Sequence, residues 1–298
     1  MAYHQPVMAA ACVEGLVTKA DGTYVDATFG GGGHSRLVLE ALNENGQLFG
    51  FDQDEDAIAN APEDERFTFV HHNFRLLKRF LKLHGLRQVD GILADLGVSS
   101  HQLDVAERGF SFRFDAALDM RMNQQQETTA AHLVNRLDAA ELQDVFGRYG
   151  EVRNAKTLAN RLVTERQVRH IETIGEFLAV IEPLVRGNRA RYLAQVFQAL
   201  RIAVNDEMGA LEDFLRQSLE VLKPGGRLVV MSYHSLEDRM VKHFLKTGNV
   251  EGKQEKDFYG NIHRPFKLIT RKAVVAGETE QKDNPRSRSA KLRIGEKR

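Results

Sequence analysis

Apolar and polar positions along this chain follow two rhythms. Short apolar runs of strand character occupy residues 23–27, 48–52, 67–71 and 89–96, and the last is apolar enough to lie buried in a parallel sheet. Helical spacing separates them. Leu37, Val38, Leu39 and Leu42 follow the first run, and Leu76, Leu77, Phe80, Leu81 and Leu83 follow the third. The next good strand, residues 227–233, comes more than 120 residues later. A βαβ crossover takes only about 30 residues, so something is inserted. The insert reads as helical. Asp138-Ala-Ala-Glu141 and Thr173-Ile-Gly-Glu176 match capping boxes, and Leu158, Leu162 and Val163, then Phe177, Leu178, Ile181 and Leu184, recur at helical spacing. Beyond it, Met208, Leu211, Leu215, Leu219 and Leu222 form one helix face, which Lys223-Pro-Gly-Gly226 stops. Leu292 and Ile294 alternate as in a last strand. The pattern predicts an α/β core over residues 1–108 and 205–298, interrupted by a helical domain over 109–204.

The junction of the first strand and first helix is Tyr24-Val-Asp-Ala-Thr-Phe-Gly-Gly-Gly-Gly-His-Ser35. A strand, a glycine turn and a helix in that order let a ligand touch bare backbone. The second strand ends in Asp52, where a carboxylate can accept hydrogen bonds from both hydroxyls of a ribose. Together they predict a nucleoside cofactor.

Composition narrows the class. With 298 residues, 42% apolar and 28% charged, the chain suits a globular protein with a large core. It has no apolar run long enough for a membrane span and no signal-peptide pattern. Its single cysteine, Cys12, suits a reducing cytoplasm and reads as a small buried side chain. The net charge of zero hides a polarity. Residues 40–65 carry nine acidic and no basic residues; 151–201 carry nine basic against five acidic; 282–298 carry seven against two. Two basic regions can hold a polyanion locally, although charge alone equally describes solvated faces.

Which nucleoside? A dinucleotide fold wants a third glycine where Ser35 stands, and a phosphate loop wants Gly-Lys-Ser/Thr where the chain has Gly33-His-Ser35. Asp26, just before the turn, repels a pyrophosphate and favours a cationic ligand. S-adenosylmethionine, with a sulfonium and no phosphate, fits.

Eight motifs then carry a resemblance. They are Phe29-Gly-Gly-Gly-Gly-His-Ser35, Asp52-Gln-Asp54, Asp95-Leu-Gly-Val-Ser-Ser-His-Gln-Leu-Asp104, Arg108-Gly-Phe-Ser-Phe112, Leu118-Asp-Met-Arg-Met122, Val196-Phe-Gln-Ala-Leu-Arg-Ile202, Ser232-Tyr-His-Ser-Leu-Glu-Asp-Arg239 and Asn284-Pro-Arg-Ser-Arg-Ser289. From His4 to Arg293 the chain resembles the bacterial 16S rRNA cytosine-N4 methyltransferase family. The resemblance implies a Rossmann-like class I S-adenosylmethionine-dependent methyltransferase core with an inserted all-α domain. It also implies a cytoplasmic enzyme that methylates N4 of a decoding-centre cytosine of 16S rRNA in the small ribosomal subunit. No obligate protein partner is evident from the sequence. Carried over position by position, Gly32, Gly33 and His34 lie along the cofactor, Asp52 holds the ribose, Phe74 lies near the adenine, and Asp95 and Gln102 close the site near the methyl. Periodicity alone assigns Phe74 to packing and leaves Gln102 among ordinary surface amides.

The cytosine amine is a poor nucleophile because its lone pair is delocalised, and acceptors aimed at its hydrogens favour pyramidalisation. The double-proline loop that many amino-methyltransferases use is absent: the six prolines include no adjacent pair. At that place stands Asp95, read here either as the acceptor or as a cofactor contact only. No metal site is expected from the histidine spacing. His234 and Ser235, expected at the end of the fifth strand, are candidates to touch the base, with a structural histidine as the plainer reading. Phe110, Phe112 and Phe114, interleaved with Arg108 and Arg113 and followed by Arg121, suit either base stacking or packing of a loop on a core. Ala116-Ala117, where the family usually has Gly-Pro, is expected to leave that loop less rigid. Arg186, Arg189 and Arg191, with Arg286, Arg288 and Arg293, are expected phosphate contacts. Three rivals remain: a nicotinamide oxidoreductase, a DNA cytosine-N4 methyltransferase and a cofactor-free RNA chaperone.

Overall fold

A computed structural model describes residues 6–256 and 258–298; His4 lies outside the described residues. In chain order the elements are α1 (Ala9–Leu16), β1 (Thr23–Asp26), α2 (Gly33–Ala41), β2 (Gln47–Asp52), β3 (Phe67–His71), α3 (Leu77–Leu83) and β4 (Val89–Asp95). Next come α4 (Ser100–Asp104), α5 (Ala130–Arg136), α6 (Ala139–Gly150), α7 (Ala155–Glu165), α8 (Ile174–Ile181) and α9 (Arg189–Asn205). The chain ends with α10 (Glu207–Val221), β5 (Leu222–Ser232), α11 (Ser235–Thr247), β6 (Phe266–Leu268), α12 (Glu278–Asp283) and β7 (Lys291–Lys297). The described residues form two compact units. One joins the chain up to Gly97 to Met208–Arg298; the other is Val98–Glu207.

The first unit is built on one sheet of order β3-β2-β1-β4-β5-β7-β6. The first five strands in that order run parallel, and β7 runs against both β5 and β6. Period-2 alternation sends successive side chains to opposite faces. Tyr24, Leu48, Leu93 and Val229 pack with Cys12 and Leu16 of α1 and Val38 and Leu39 of α2. Val25, Phe49, Ile92 and Leu228 pack with Leu77 and Leu81 of α3, Phe214 of α10 and Phe244 of α11. The strand order reverses between β1 and β4, so the crevice for a ligand opens beyond the carboxyl ends of those two strands.

Two predicted boundaries moved. Leu222, expected on the helix face of α10, instead opens β5 opposite Val89. Register then shifts, because Gly91 faces Arg227, and residues 223–226 bulge out of the ladder with Gly225 at φ +79°. The strand also stops at Ser232, so His234 and Ser235 belong to the start of α11. β6, three residues at the sheet edge, was not foreseen.

The second unit is helical. Leu142 and Phe146 of α6, Leu158 and Leu162 of α7, Phe177 and Ile181 of α8, and Leu193, Val196 and Leu200 of α9 share one core. Both expected capping boxes form: Asp138 and Thr173 accept from the amides of Glu141 and Glu176 while those glutamates reach back. The segment before α5 is tied into the unit by hydrogen bonds. Ala116 O accepts from Ile174 N, Leu118 N donates to Glu172 O, and Asn205 binds both Met120 O and Met122 N.

Candidate cofactor site

Three neighbouring strands end on aspartates: β2 on Asp52, β1 on Asp26 and β4 on Asp95. The glycine turn runs across this edge. Gly30 and Gly32 sit at φ +52° and +72°, the left-handed region that favours glycine. Gly32 caps α2 and Gly33 begins it. The turn is tied from several sides. Gly30 N donates to Asp52 Oδ2 at 2.7 Å, Asn60 Nδ2 to Gly30 O at 3.1 Å, and Arg36 to Gly31 O at 2.9 Å. A side chain at Gly31 would meet nothing within 4 Å, so this backbone borders open space.

Asp52 also accepts from Asp54 N at 2.9 Å. Each carboxylate oxygen thus keeps a lone pair for another donor. Burial lifts this carboxyl to about 6, against the two amides that favour its charge. Asp26 is buried, and its oxygens are taken by Ser35 Oγ at 2.7 Å and Thr28 N at 3.1 Å. Burial raises its carboxyl above the usual range, opposed by His34 and these bonds. Asp95 Oδ1 accepts from Tyr233 Oη at 2.8 Å, and Oδ2 lies 3.8 Å from His34 Nδ1. Burial lifts Asp95 to about 6 as well, opposed by His34 and by the tyrosine bond. Its backbone amide donates to Thr28 Oγ1 at 2.6 Å. His34 is itself fixed by a 3.0 Å bond between Nε2 and the Val7 carbonyl. Desolvation and Asp95 raise the Tyr233 phenol far above its ordinary value, so it stays a donor. Desolvation likewise keeps the buried Cys12 protonated and inert.

Bare backbone beside open space, an arc of carboxylates and one with spare lone pairs fit a cationic nucleoside without phosphate. They oppose a pyrophosphate at the same edge.

Comparison with known proteins settles the family. The model of the MraW methylase family matches residues 1–298. The chain belongs to that family. It is 58% identical to a ribosomal RNA small subunit methyltransferase H of Parabacteroides distasonis, over 99% of this chain and 97% of that protein. It is 57% identical to a protein of the same description from Bacteroides thetaiotaomicron, over 100% of this chain and 98% of that protein. A solved rRNA methylase of Streptococcus thermophilus covers 97% of this chain and 93% of its own at 12% identity and a TM-score of 0.41. This MraW-family protein is therefore an enzyme, a methyltransferase built on a Rossmann-like sheet, and its methyl donor is S-adenosylmethionine. The missing third glycine and the family match dispose of the nicotinamide reading.

The remaining predicted residues divide. Phe74 begins a short 3-10 turn and packs edge-on against Phe214 at 5.1 Å, half-buried. Gln102 lies in the second unit, buried, where its side chain caps α4 by accepting from Ser99 N at 3.1 Å. Phe110 is 6% exposed inside the helical core, so packing rather than base stacking is its role. Phe112 is half-buried, edge-on to Phe197 at 5.4 Å. Arg121 is not a free phosphate grip. It chelates Asp119 and donates to Gln124 O and Gln126 O. Arg293 is likewise held by Asp238 at 2.7 Å, at 12% side-chain exposure. Arg189 is exposed and pairs with Glu182, Arg191 and Arg288 are exposed, and Arg286 is half-buried. His234 is the N-cap of α11, in a reciprocal box with Glu237; its Nε2 lies 3.1 Å from Glu237 Oε1, out of line for a hydrogen bond. That geometry supports the structural reading of His234, with Ser235 as the first residue of the helix.

Reading the residues singly missed Tyr233, Thr28 and Ser35. The signal was present: each lies in or beside a quoted motif, but only the sheet shows that their hydroxyls reach the strand-end aspartates.

Proposed function

We propose that this enzyme methylates the exocyclic N4 amine of a decoding-centre cytosine, cytosine 1402 of 16S rRNA, within the small ribosomal subunit in the cytoplasm. The observation that carries the reading is the carboxylate of Asp95 at the strand-reversal point, oriented by Tyr233. S-adenosylmethionine, when bound, supplies a methyl made electrophilic by the sulfonium. The chain's own residues do the rest. The glycine turn admits the ligand to backbone contact, and Asp52 accepts from the ribose hydroxyls. Phe74 lies near the adenine. Asp95 accepts an N–H of the amine, which favours pyramidal nitrogen, and can take up the proton released after transfer because its carboxyl sits near pH 6. In-line positioning supplies much of the rate. The base must leave its stack to be reached. Arg189, Arg191, Arg286 and Arg288 hold phosphates, and exposed pairing such as that of Arg189 is weak enough to exchange.

The test is methyl transfer to three substrates: assembled small subunits, naked 16S rRNA and duplex DNA. This reading predicts transfer to the ribosomal substrate and none to DNA. Transfer to DNA alone would favour the DNA cytosine-N4 reading, and no transfer with normal rRNA binding would favour the chaperone.

A further inference from the structure

Ten large apolar side chains among the described residues are exposed, and six of them lie between Phe258 and Val275. Phe258 is 98% and Tyr259 87% exposed, and Leu268, Ile269, Val274 and Val275 accompany them. Clustering of this kind marks an interaction surface, whereas apolar residues scattered singly do not. The aromatic pair sits at the end of a narrow arm. Lys256 bridges Ile262 in antiparallel fashion, His263 N donates to Glu255 O at 2.8 Å, and Gly260 turns the tip at φ +84°. The two rings stand perpendicular, centroids 5.7 Å apart. The arm leads directly into β6, the edge strand of the sheet.

The charge of the segment favours a polyanion. Residues 249–275 hold six basic and three acidic side chains. Lys253, Lys256, Arg264, Arg271 and Lys272 make no ion pair among the described residues, so their charges are not already neutralised there. Flat rings beside unneutralised cations are what a single nucleic-acid strand binds: bases stack on the rings and phosphates meet the lysines and arginines. A protein partner of ordinary interface composition does not call for lysine, which interfaces tend to exclude.

We propose that the 253–272 arm and its flank are an RNA-docking surface that grips a single-stranded stretch of ribosomal RNA away from the target base, with Phe258 and Tyr259 as stacking platforms. This inference rests on the rRNA reading above. It adds a second anchor to an enzyme whose expected phosphate contacts lay elsewhere, in the helical unit and the tail.

The test compares the full-length wild type with two variants, F258S/Y259S and R271A/K272A. Calorimetry with S-adenosylmethionine should give unchanged affinity for all three, which shows that the core is intact. In methyl transfer to small subunits the first variant should raise KM about tenfold, the scale of one or two unstacked bases, with kcat little changed. Naked 16S rRNA should bind that variant with an affinity defect of the same size. The second variant should flatten the salt dependence of rRNA binding by about 0.7 in log–log slope for each phosphate no longer neutralised. Unchanged KM and salt slope in both variants would overturn the proposal. So would a KM defect confined to assembled subunits and absent with naked rRNA, which points to a ribosomal protein, or a shift from dimer to monomer in sedimentation at unaltered rRNA affinity, which makes the surface a contact between copies. A wild type that transfers no methyl to any ribosomal substrate defeats the rRNA reading itself and, with it, this surface.

Discussion

Tyr233 donates its phenolic hydrogen to Asp95 across 2.8 Å, joining the end of β5 to the end of β4 at the edge proposed to hold the cofactor. The bond favours the ionised carboxylate, so removing it should push Asp95 further above about 6. Tyr233→Phe is expected to move the acid limb of the pH–rate profile to higher pH and to lower the rate at pH 7 about tenfold. A purely packing role would leave the limb where it is.

Asp95→Asn separates stability from function. The ionised carboxylate is costly in its half-buried place, and an amide keeps an oxygen for Tyr233 and offers an N–H to His34 Nδ1, whose partner nitrogen is committed to Val7 O. The variant should melt at or above the wild-type temperature yet lose at least about a hundredfold in turnover with cofactor bound. A loss confined to cofactor affinity would reduce Asp95 to a binding contact.

Acidity acts on the same carboxyls. Asp52 and Asp95 are lifted from 3.8 to about 6, so between those values the native protein holds protons that the unfolded chain has released. These groups therefore weigh against the fold above pH 6, and that cost is relieved as pH falls toward 4. Affinity should run the opposite way, because on this reading the ionised forms accept more strongly from the ribose and alone carry the charge that attracts the sulfonium. The Kd for S-adenosylmethionine should rise below pH 6, by up to about tenfold per pH unit for each group. A flat calorimetric Kd from pH 5 to 8 would refute the assignment.

The glycines make a paired test. Gly32 is at φ +72° with Phe29 only 2.8 Å from an added Cβ, so Gly32→Ala should cost about 1–3 kcal/mol of stability. Gly31 borders open space, so Gly31→Ala should leave the melting temperature unchanged but weaken cofactor binding. Equal effects of the two on melting would mean the turn is structural only.

Arg293 and Arg288 should also part company. Arg293→Ala leaves the half-buried Asp238 with Lys291 alone, at 3.4 Å, and should cost about 1 kcal/mol, with the salt dependence of rRNA binding unaltered. Arg288→Ala should leave melting unchanged and lower the salt slope. Denaturant titration and filter binding read the two outcomes.

These contrasts mark where the sequence was legible. Strand-then-glycine order and strand-end aspartates are local features, and the residues 23–33 and Asp52 were read from them directly. Capping boxes at Asp138 and Thr173 are local too. Arg121, Arg293 and Phe110 were not legible, because a cation with an acidic partner and a loop phenylalanine turned inward look the same in sequence as exposed ones. The pairing of Tyr233 with Asp95, 138 residues apart, is fixed by sheet register alone. β6 escaped notice because three residues at an edge carry too little periodicity to register.

The central claim is that a sulfonium-bearing nucleoside held against the glycine turn methylates a cytosine amine of the small subunit. The most direct measurement is nucleoside mass spectrometry of 16S rRNA, after small subunits lacking the modification are incubated with the enzyme and S-adenosylmethionine labelled in its methyl. The label should appear in N4-methylcytidine. Label in another nucleoside, in ribosomal protein or nowhere in the subunit would contradict the account.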